Sequence, residues 1–362
     1  MKYPIYIPEI KENERKYVLD CIDSTWISSK GKYVDLFEQK IQEYTGVKHA
    51  VAVFNGTVAL HLALDVIGVK PDDEIILPDF TYIASANAVL YLGAVPVLVD
   101  VSKDSWNITL DEIKKNVTPK TKAIIITDIY GTPPEMDEIM EFAKSKGIVV
   151  VADSAESLGA TYKGKHTGNI ADISTYSFFG NKTVTTGEGG MVTTNNDEYN
   201  YLLRKKKNQG NHDTIRYFHD VLGYNFRMTN IQAAIGCAQM ERIENTLERK
   251  KNLFGWYKEE LQGLVKFQEI EEYITSSIWM VCFLLPKNIV REDLMKFMDT
   301  KGIETRPFFF PIHEMPFYTT VNNKNTIEIS KHGMNVPSYP QLKKEDVVYI
   351  CNQIKEYLEN NG

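Results

Sequence analysis

The chain has 362 residues, 43% of them hydrophobic, and a formal net charge of −7. That length suits one large or two unequal domains with a substantial core, and the acidic balance argues against nucleic acid, which demands a basic face. No apolar run reaches the ~18 residues of a membrane span, the N-terminus lacks a signal-peptide core, and Cys21, Cys237, Cys282 and Cys351 show no metal or disulfide-framework spacing. The expectation is a cytoplasmic protein with no metal centre, no membrane contact and no nucleic-acid partner.

Short apolar runs alternate with helical patterns from residue 49 to about residue 195. Strands are expected over 49–54, 74–77, 95–101, 122–127 and 147–153. Helices are expected over 58–67, 83–92 and 136–146. Strands at 173–179 and 191–193 follow, then a helix near 198–207. Its basic run, Arg204-Lys205-Lys206-Lys207, reads as a solvated face, with an anion site as the alternative. This alternation implies an α/β fold with a mostly parallel sheet covered on both faces, and ligands in such sheets bind at the carboxyl ends of strands. A long helical pattern runs over 230–261. A smaller α/β unit follows it, with a strand at 278–285 and helices at 291–301 and 344–358. A boundary inside the long helix divides a large domain, 1–245, from a small C-terminal domain, 246–362.

The residues that carry chemistry fall at the expected strand ends. Asn55-Gly56-Thr57 opens the first helix, where free N–H groups and a threonine hydroxyl suit a phosphate. An ordinary N-cap turn is the equal alternative. Tyr82 follows the second strand and is placed to stack on a ring. Asp153 ends a fully apolar strand, where a carboxylate is costly unless paired. A protonated pyridine nitrogen is one such partner, and a helix cap is the other reading. Ser177 ends the next strand. Lys182 follows in a small-residue loop, where desolvation leaves an amine nucleophilic and able to form an imine with an aldehyde. Carbonyl-capturing lysine, ring-nitrogen carboxylate and phosphate cradle together specify pyridoxal 5′-phosphate better than any one alone. Gly187-Glu188-Gly189-Gly190 lacks P-loop spacing, and no GxSxG or HExxH motif occurs. Asn225, at the expected start of the long helix, is a further phosphate donor. His313 is either a packed loop histidine or a substrate contact.

Over nearly its whole length the chain resembles the DegT/DnrJ/EryC1/StrS family of pyridoxal-phosphate-dependent nucleotide-sugar aminotransferases. The resemblance lies in Asn55-Gly56-Thr57-Val58-Ala59-Leu60, Thr81-Tyr82-Ile83-Ala84-Ser85, Asp153-Ser154-Ala155-Glu156, the runs 177–182, 187–190 and 223–228, and Thr305-Arg306-Pro307. It implies an aspartate-aminotransferase-type fold (fold type I) and a homodimer with active sites shared between subunits. It implies that Lys182 carries the cofactor, Asp153 pairs with the ring nitrogen, and Glu156 lies beside the ring. Tyr82 stacks, Gly56, Thr57 and Ser177 hold the phosphate, and Asn225 reaches that phosphate from the partner subunit. Trp26, Ser29, Arg306 and His313 are the implied contacts to the nucleotide-sugar. The chain departs from the family at Asp128, before Ile129-Tyr130-Gly131, where members commonly carry histidine.

Segments 23–31, 177–183 and 306–316 are most similar to members that aminate a GDP-linked 4-keto-6-deoxymannose. UDP- or dTDP-linked 4-keto-6-deoxyglucose is the alternative, and L-glutamate is the implied amino donor. Related dehydratases replace the lysine with histidine, so Lys182 argues against dehydration. A cofactor-binding sensor without turnover is the reading from another class, and no appended segment supports it.

Overall fold

The structure is a computed structural model and describes residues 1–361. Seven strands build the central sheet: β1 (His49–Val53), β2 (Glu74–Pro78), β3 (Val95–Val99), β4 (Thr121–Thr127), β5 (Val149–Asp153), β6 (Ile173–Ser177) and β7 (Gly190–Thr194). Their spatial order is β1-β7-β6-β5-β4-β2-β3. β7 runs antiparallel to both of its neighbours, and the remaining pairings are parallel.

The inner strands read as unbroken apolar runs because helices cover both faces. Successive side chains of one strand then enter different cores. Ile75, Leu77, Ile125 and Val151 pack with the helices Gly56–Val66 and Ala84–Tyr91. Ile76, Ile124, Ile126 and Val150 pack with the helix Met136–Lys146. Parallel strands sandwiched in this way have their carboxyl ends on one rim, and every turn with candidate chemistry leaves from that rim. This is the expected fold type I architecture.

The small unit is an antiparallel sheet of β8 (Lys266–Phe267), β9 (Cys282–Leu284), β10 (Arg306–Pro307) and β11 (Gly333–Asn335), in the order β8-β9-β11-β10. Its core includes Leu253 and Tyr257 of the helix Ile243–Leu261, Leu294 of the helix Arg291–Thr300, and Ile350 and Ile354 of the helix Lys344–Asn361. Tyr3 also packs into this core and bridges to Ile303, so the start of the chain is tied to the small unit.

Three expectations are corrected. The long helix is two helices, Asn230–Met240 and Ile243–Leu261, separated at Glu241 and Arg242. Arg242 leaves helical geometry with φ −130°, and its guanidinium binds the Glu14 carboxylate and the Glu9 carbonyl. Ion pairing to the N-terminal segment thus breaks a pattern that apolar periodicity carried through. The strand expected over 278–285 shrinks to β9, because Ile278 adopts φ +48°, which no strand tolerates. The basic run is a paired face and only partly solvated, with Arg204 exposed and Lys205, Lys206 and Lys207 largely covered. Arg204 and Lys207 both pair with the buried Glu38, Lys205 pairs with Asp220, and Lys206 pairs with Asp65.

Two helices that periodicity did not single out, Glu12–Asp23 and Lys32–Thr45, pack on Asn230–Met240. Among the described residues no helix is long and apolar enough to cross a membrane.

Candidate active site

One end of the site is built to receive an anion. Asn55 caps the helix Gly56–Val66, and its side chain accepts the Val58 N–H at 3.0 Å. In an α-helix the first-turn N–H groups have no intrahelical acceptor. Those of Gly56 and Thr57 therefore sit free at the positive end of the helix dipole. Ser177, at the end of β6, closes the other side. A Cβ on Gly56 would come within 2.8 Å of the Ser177 Cβ, and one on Gly190 within 2.4 Å of the Asn55 carbonyl oxygen. The cradle therefore depends on backbone at both positions.

The other end is acidic. Asp153 ends β5 and is buried. The Ser85 hydroxyl donates to its Oδ2 at 2.5 Å and the Ala155 N–H to its Oδ1 at 3.2 Å. Burial raises its pKa, opposed by these bonds and by the nearby Lys182 charge. Asp128 is buried close by. The Ser154 hydroxyl donates to its Oδ2 at 2.7 Å, the Ser157 hydroxyl donates to the same oxygen, and burial pushes its pKa up to about 7. It does not line the cavity. The residue that departs from the family thus braces the turn after Asp153.

Lys182 projects between these two ends. Its side chain is 13% exposed, and its Nζ lies 3.9 Å from Glu156 Oε1 and 4.0 Å from the centroid of the Trp279 ring. Burial lowers the lysine pKa, with Glu156 and then Asp153 pulling it back up. Glu156 is itself pushed up by burial, against the pull of Lys182 and of the Tyr130 N–H, which donates to its Oε2 at 2.7 Å. The Trp279 indole N–H donates to the Asn181 carbonyl at 2.9 Å, and the Tyr6 hydroxyl to the Lys182 carbonyl at 3.1 Å.

A cavity of about 430 Å³ brings together Gly56, Thr57, Tyr82, Asp153, Glu156, Ser177, Lys182 and Arg306. Tyr82 is 58% exposed, so one ring face is free to stack. Anion cradle, buried carboxylate and desolvated amine in one cavity fit a phosphorylated pyridine aldehyde. Gly56, Thr57 and Ser177 would hold the phosphate, Asp153 the ring nitrogen and Lys182 the aldehyde carbon.

The sequence reading missed the aromatic wall. Tyr130 stacks on Phe309 at 5.8 Å with an interplanar angle of 2°, and on Trp279 at 6.0 Å with an angle of 15°. All three line the cavity, as does Asn335. Tyr130 stood inside the Ile129-Tyr130-Gly131 motif and Phe309 in the run leading to His313, neither with a role of its own, and Trp279 was hidden in a segment taken for a strand.

Four residues lie elsewhere. His313 is a packed loop histidine and not a cavity contact. It is buried, its Nδ1 bonds the Asp79 carboxylate, and its backbone N–H donates to Asp79 Oδ1 at 3.0 Å. Asn225 does not open a helix. That helix starts at Asn230 with Thr229 as its cap, whereas Asn225 bridges Asn208 and accepts from the Arg227 guanidinium. Trp26 is 57% exposed, and Ser29 lines a separate basic cavity with Lys30, Arg204, Lys207 and Arg227. Within one chain none of these four reaches the Lys182 cavity.

Residues 8–355 match the DegT/DnrJ/EryC1/StrS aminotransferase family. The chain is 46% identical over 360 residues to the GDP-perosamine synthase of Escherichia coli O157:H7, covering 99% of each chain. It is 42% identical over 361 residues to the GDP-perosamine synthase of Vibrio cholerae, covering 98% of each. It superposes on the putative sugar aminotransferase Spr1654 from Streptococcus pneumoniae in its PMP form with a TM-score of 0.93. The identity there is 28%, and the match covers 99% of this chain and 98% of that one.

Proposed function

Because the chain belongs to the DegT/DnrJ/EryC1/StrS aminotransferase family, we propose that it aminates C4 of GDP-4-keto-6-deoxy-D-mannose with L-glutamate as donor. The products are GDP-perosamine and 2-oxoglutarate, and the enzyme works as a cytoplasmic homodimer. The chain is a pyridoxal-phosphate-dependent aminotransferase. The observation that carries the substrate assignment is full-length identity of 42–46% to enzymes named for GDP-perosamine synthesis.

Bound pyridoxal phosphate supplies the carbonyl that accepts the amino group and the electron sink for the carbanion. The protein does the rest. Asp153 keeps the ring nitrogen protonated, and that cation in turn relieves the penalty of its own burial. Gly56, Thr57 and Ser177 fix the phosphate, and Tyr82 covers the ring. Lys182 first holds the cofactor. As a free amine it would then take the proton lost at the donor α-carbon and deliver one at the sugar C4. Burial lowers its pKa, which favours the free amine that a base requires. Arg306, at the cavity mouth, provides a guanidinium for the diphosphate. In the dimer, Asn225 of the partner subunit completes the phosphate site, and Trp26 and Ser29 approach the nucleotide-sugar from the second chain.

The test compares kcat/KM for the GDP-linked substrate with those for UDP- and dTDP-linked 4-keto-6-deoxyglucose. The GDP substrate is expected to win, because buried polar groups left unpaired by the wrong base penalise it by roughly 10²-fold or more. A tenfold preference for a UDP or dTDP substrate would replace this assignment with the viosamine-type reaction.

A further inference from the structure

Lys250 is fully buried in the helix Ile243–Leu261 and takes no part in the chemistry above. Among the described residues no carboxylate pairs with it. Its ammonium donates to two backbone carbonyls, that of Ile278 at 3.1 Å and that of Trp279 at 2.8 Å, and lies 5.3 Å from the centroid of the Tyr6 ring. A buried cation without a counter-ion is expensive, and burial pushes this one down to about 7.

The segment it grips is strained. Ile278 is β-branched with φ +48°, and Tyr130, facing it, has φ +54°. Such residues persist only where their surroundings over-determine them. The Ser277 N–H donates to the Gly131 carbonyl and the Trp279 N–H to the Tyr130 carbonyl, both at 3.1 Å, and Lys250 ties down the opposite side. What leaves this turn is the Trp279 indole, whose face lies against the Lys182 nitrogen. Tyr6, under the Lys250 ammonium, holds the Lys182 carbonyl. Lys250 therefore borders two of the contacts of Lys182, one at its nitrogen and one at its backbone, while Glu156 faces the same nitrogen from another element.

We propose that Lys250 is a positioning residue for Lys182: it locks the turn at Ile278 and Trp279 so that the indole face supports a positive charge on the Lys182 nitrogen. This rests on Lys182 being the lysine that holds the cofactor. That premise is tested separately, because the Lys182→Ala holoenzyme must lack the absorbance band of lysine-bound cofactor altogether.

The experiment is a pH titration of that band in Lys250→Met holoenzyme. Loosening a cation–π contact lowers the midpoint by roughly half a pH unit. The donor half-reaction slows about tenfold, KM for the nucleotide-sugar is unchanged, and Lys250→Arg restores part of both losses. Adding Trp279→Phe to Lys250→Met shifts the midpoint no further, because both act through one contact. An unchanged midpoint accompanied only by a lower Tm makes Lys250 structural and overturns the proposal, as do fully additive shifts. If Lys250→Met does not fold, Lys250→Gln, which keeps an uncharged N–H donor group, is read by the same titration and decides in the same way.

Discussion

A lysine in a loop is usually a solvated lysine, and Lys182 became informative only through what lay at the neighbouring strand ends. Asp153 and Asn55-Gly56-Thr57 were legible because a carboxylate after an apolar strand and a small-residue turn before a helix are local signals. Trp279 was not legible. Its proximity to Lys182 depends on a left-handed isoleucine in the small unit, and no local pattern foretells where such a turn points. His313 was left open between packing and substrate, and its partner Asp79, far away in the chain, was not legible either. The residue-scale prediction is that Lys182→Ala lowers turnover by at least ~10³-fold, since the same side chain is both nucleophile and proton carrier. Pyridoxal phosphate should still bind, but without the band of the lysine-bound form, and circular dichroism should be unchanged. Wild-type-like turnover in this variant would refute the role.

Helices and strands were largely visible in their periodicity, and their ends were set by contacts that periodicity does not contain. The helix Met136–Lys146 lies where the pattern put it. The break at Arg242 was invisible because its cause, Glu14, lies far away in the chain. The two N-terminal helices escaped notice although the second has a buried apolar stripe of Tyr33, Phe37 and Ile41. At this scale the sharpest dependence is the helix Gly56–Val66 against the end of β6. Gly56→Ala brings a methyl group to 2.8 Å from the Ser177 Cβ, so helix start and strand end must separate. We expect pyridoxal phosphate affinity to fall about 10- to 100-fold, the scale of one or two lost charge-assisted hydrogen bonds, when apoenzyme is titrated by absorbance. An undiminished affinity would show that the phosphate sits elsewhere.

At the scale of the whole molecule, the proposed dimer is tested at Asn225. This residue lies outside the Lys182 cavity and faces a bridge to Asn208. If it serves a second chain, mixing inactive Lys182→Ala chains with chains blocked by Asn225→Phe should restore activity. One site of each mixed dimer then carries neither lesion, and random pairing gives about a quarter of wild-type activity. Verified mixed dimers with no activity would mean that each chain builds its own site. The antiparallel β7 has a separate consequence. It is the last strand of the large sheet in the chain and yet pairs with β1, the first. Closing so long a loop carries an entropic penalty before any contact offsets it, so this seam zips late in folding. The phosphate cradle straddles it, with Asn55 to Thr57 leaving β1 and Ser177 leaving β6 on the far side of β7. The cradle therefore exists only in the completed sheet, and a cofactor that binds there draws the equilibrium toward the finished domain by mass action.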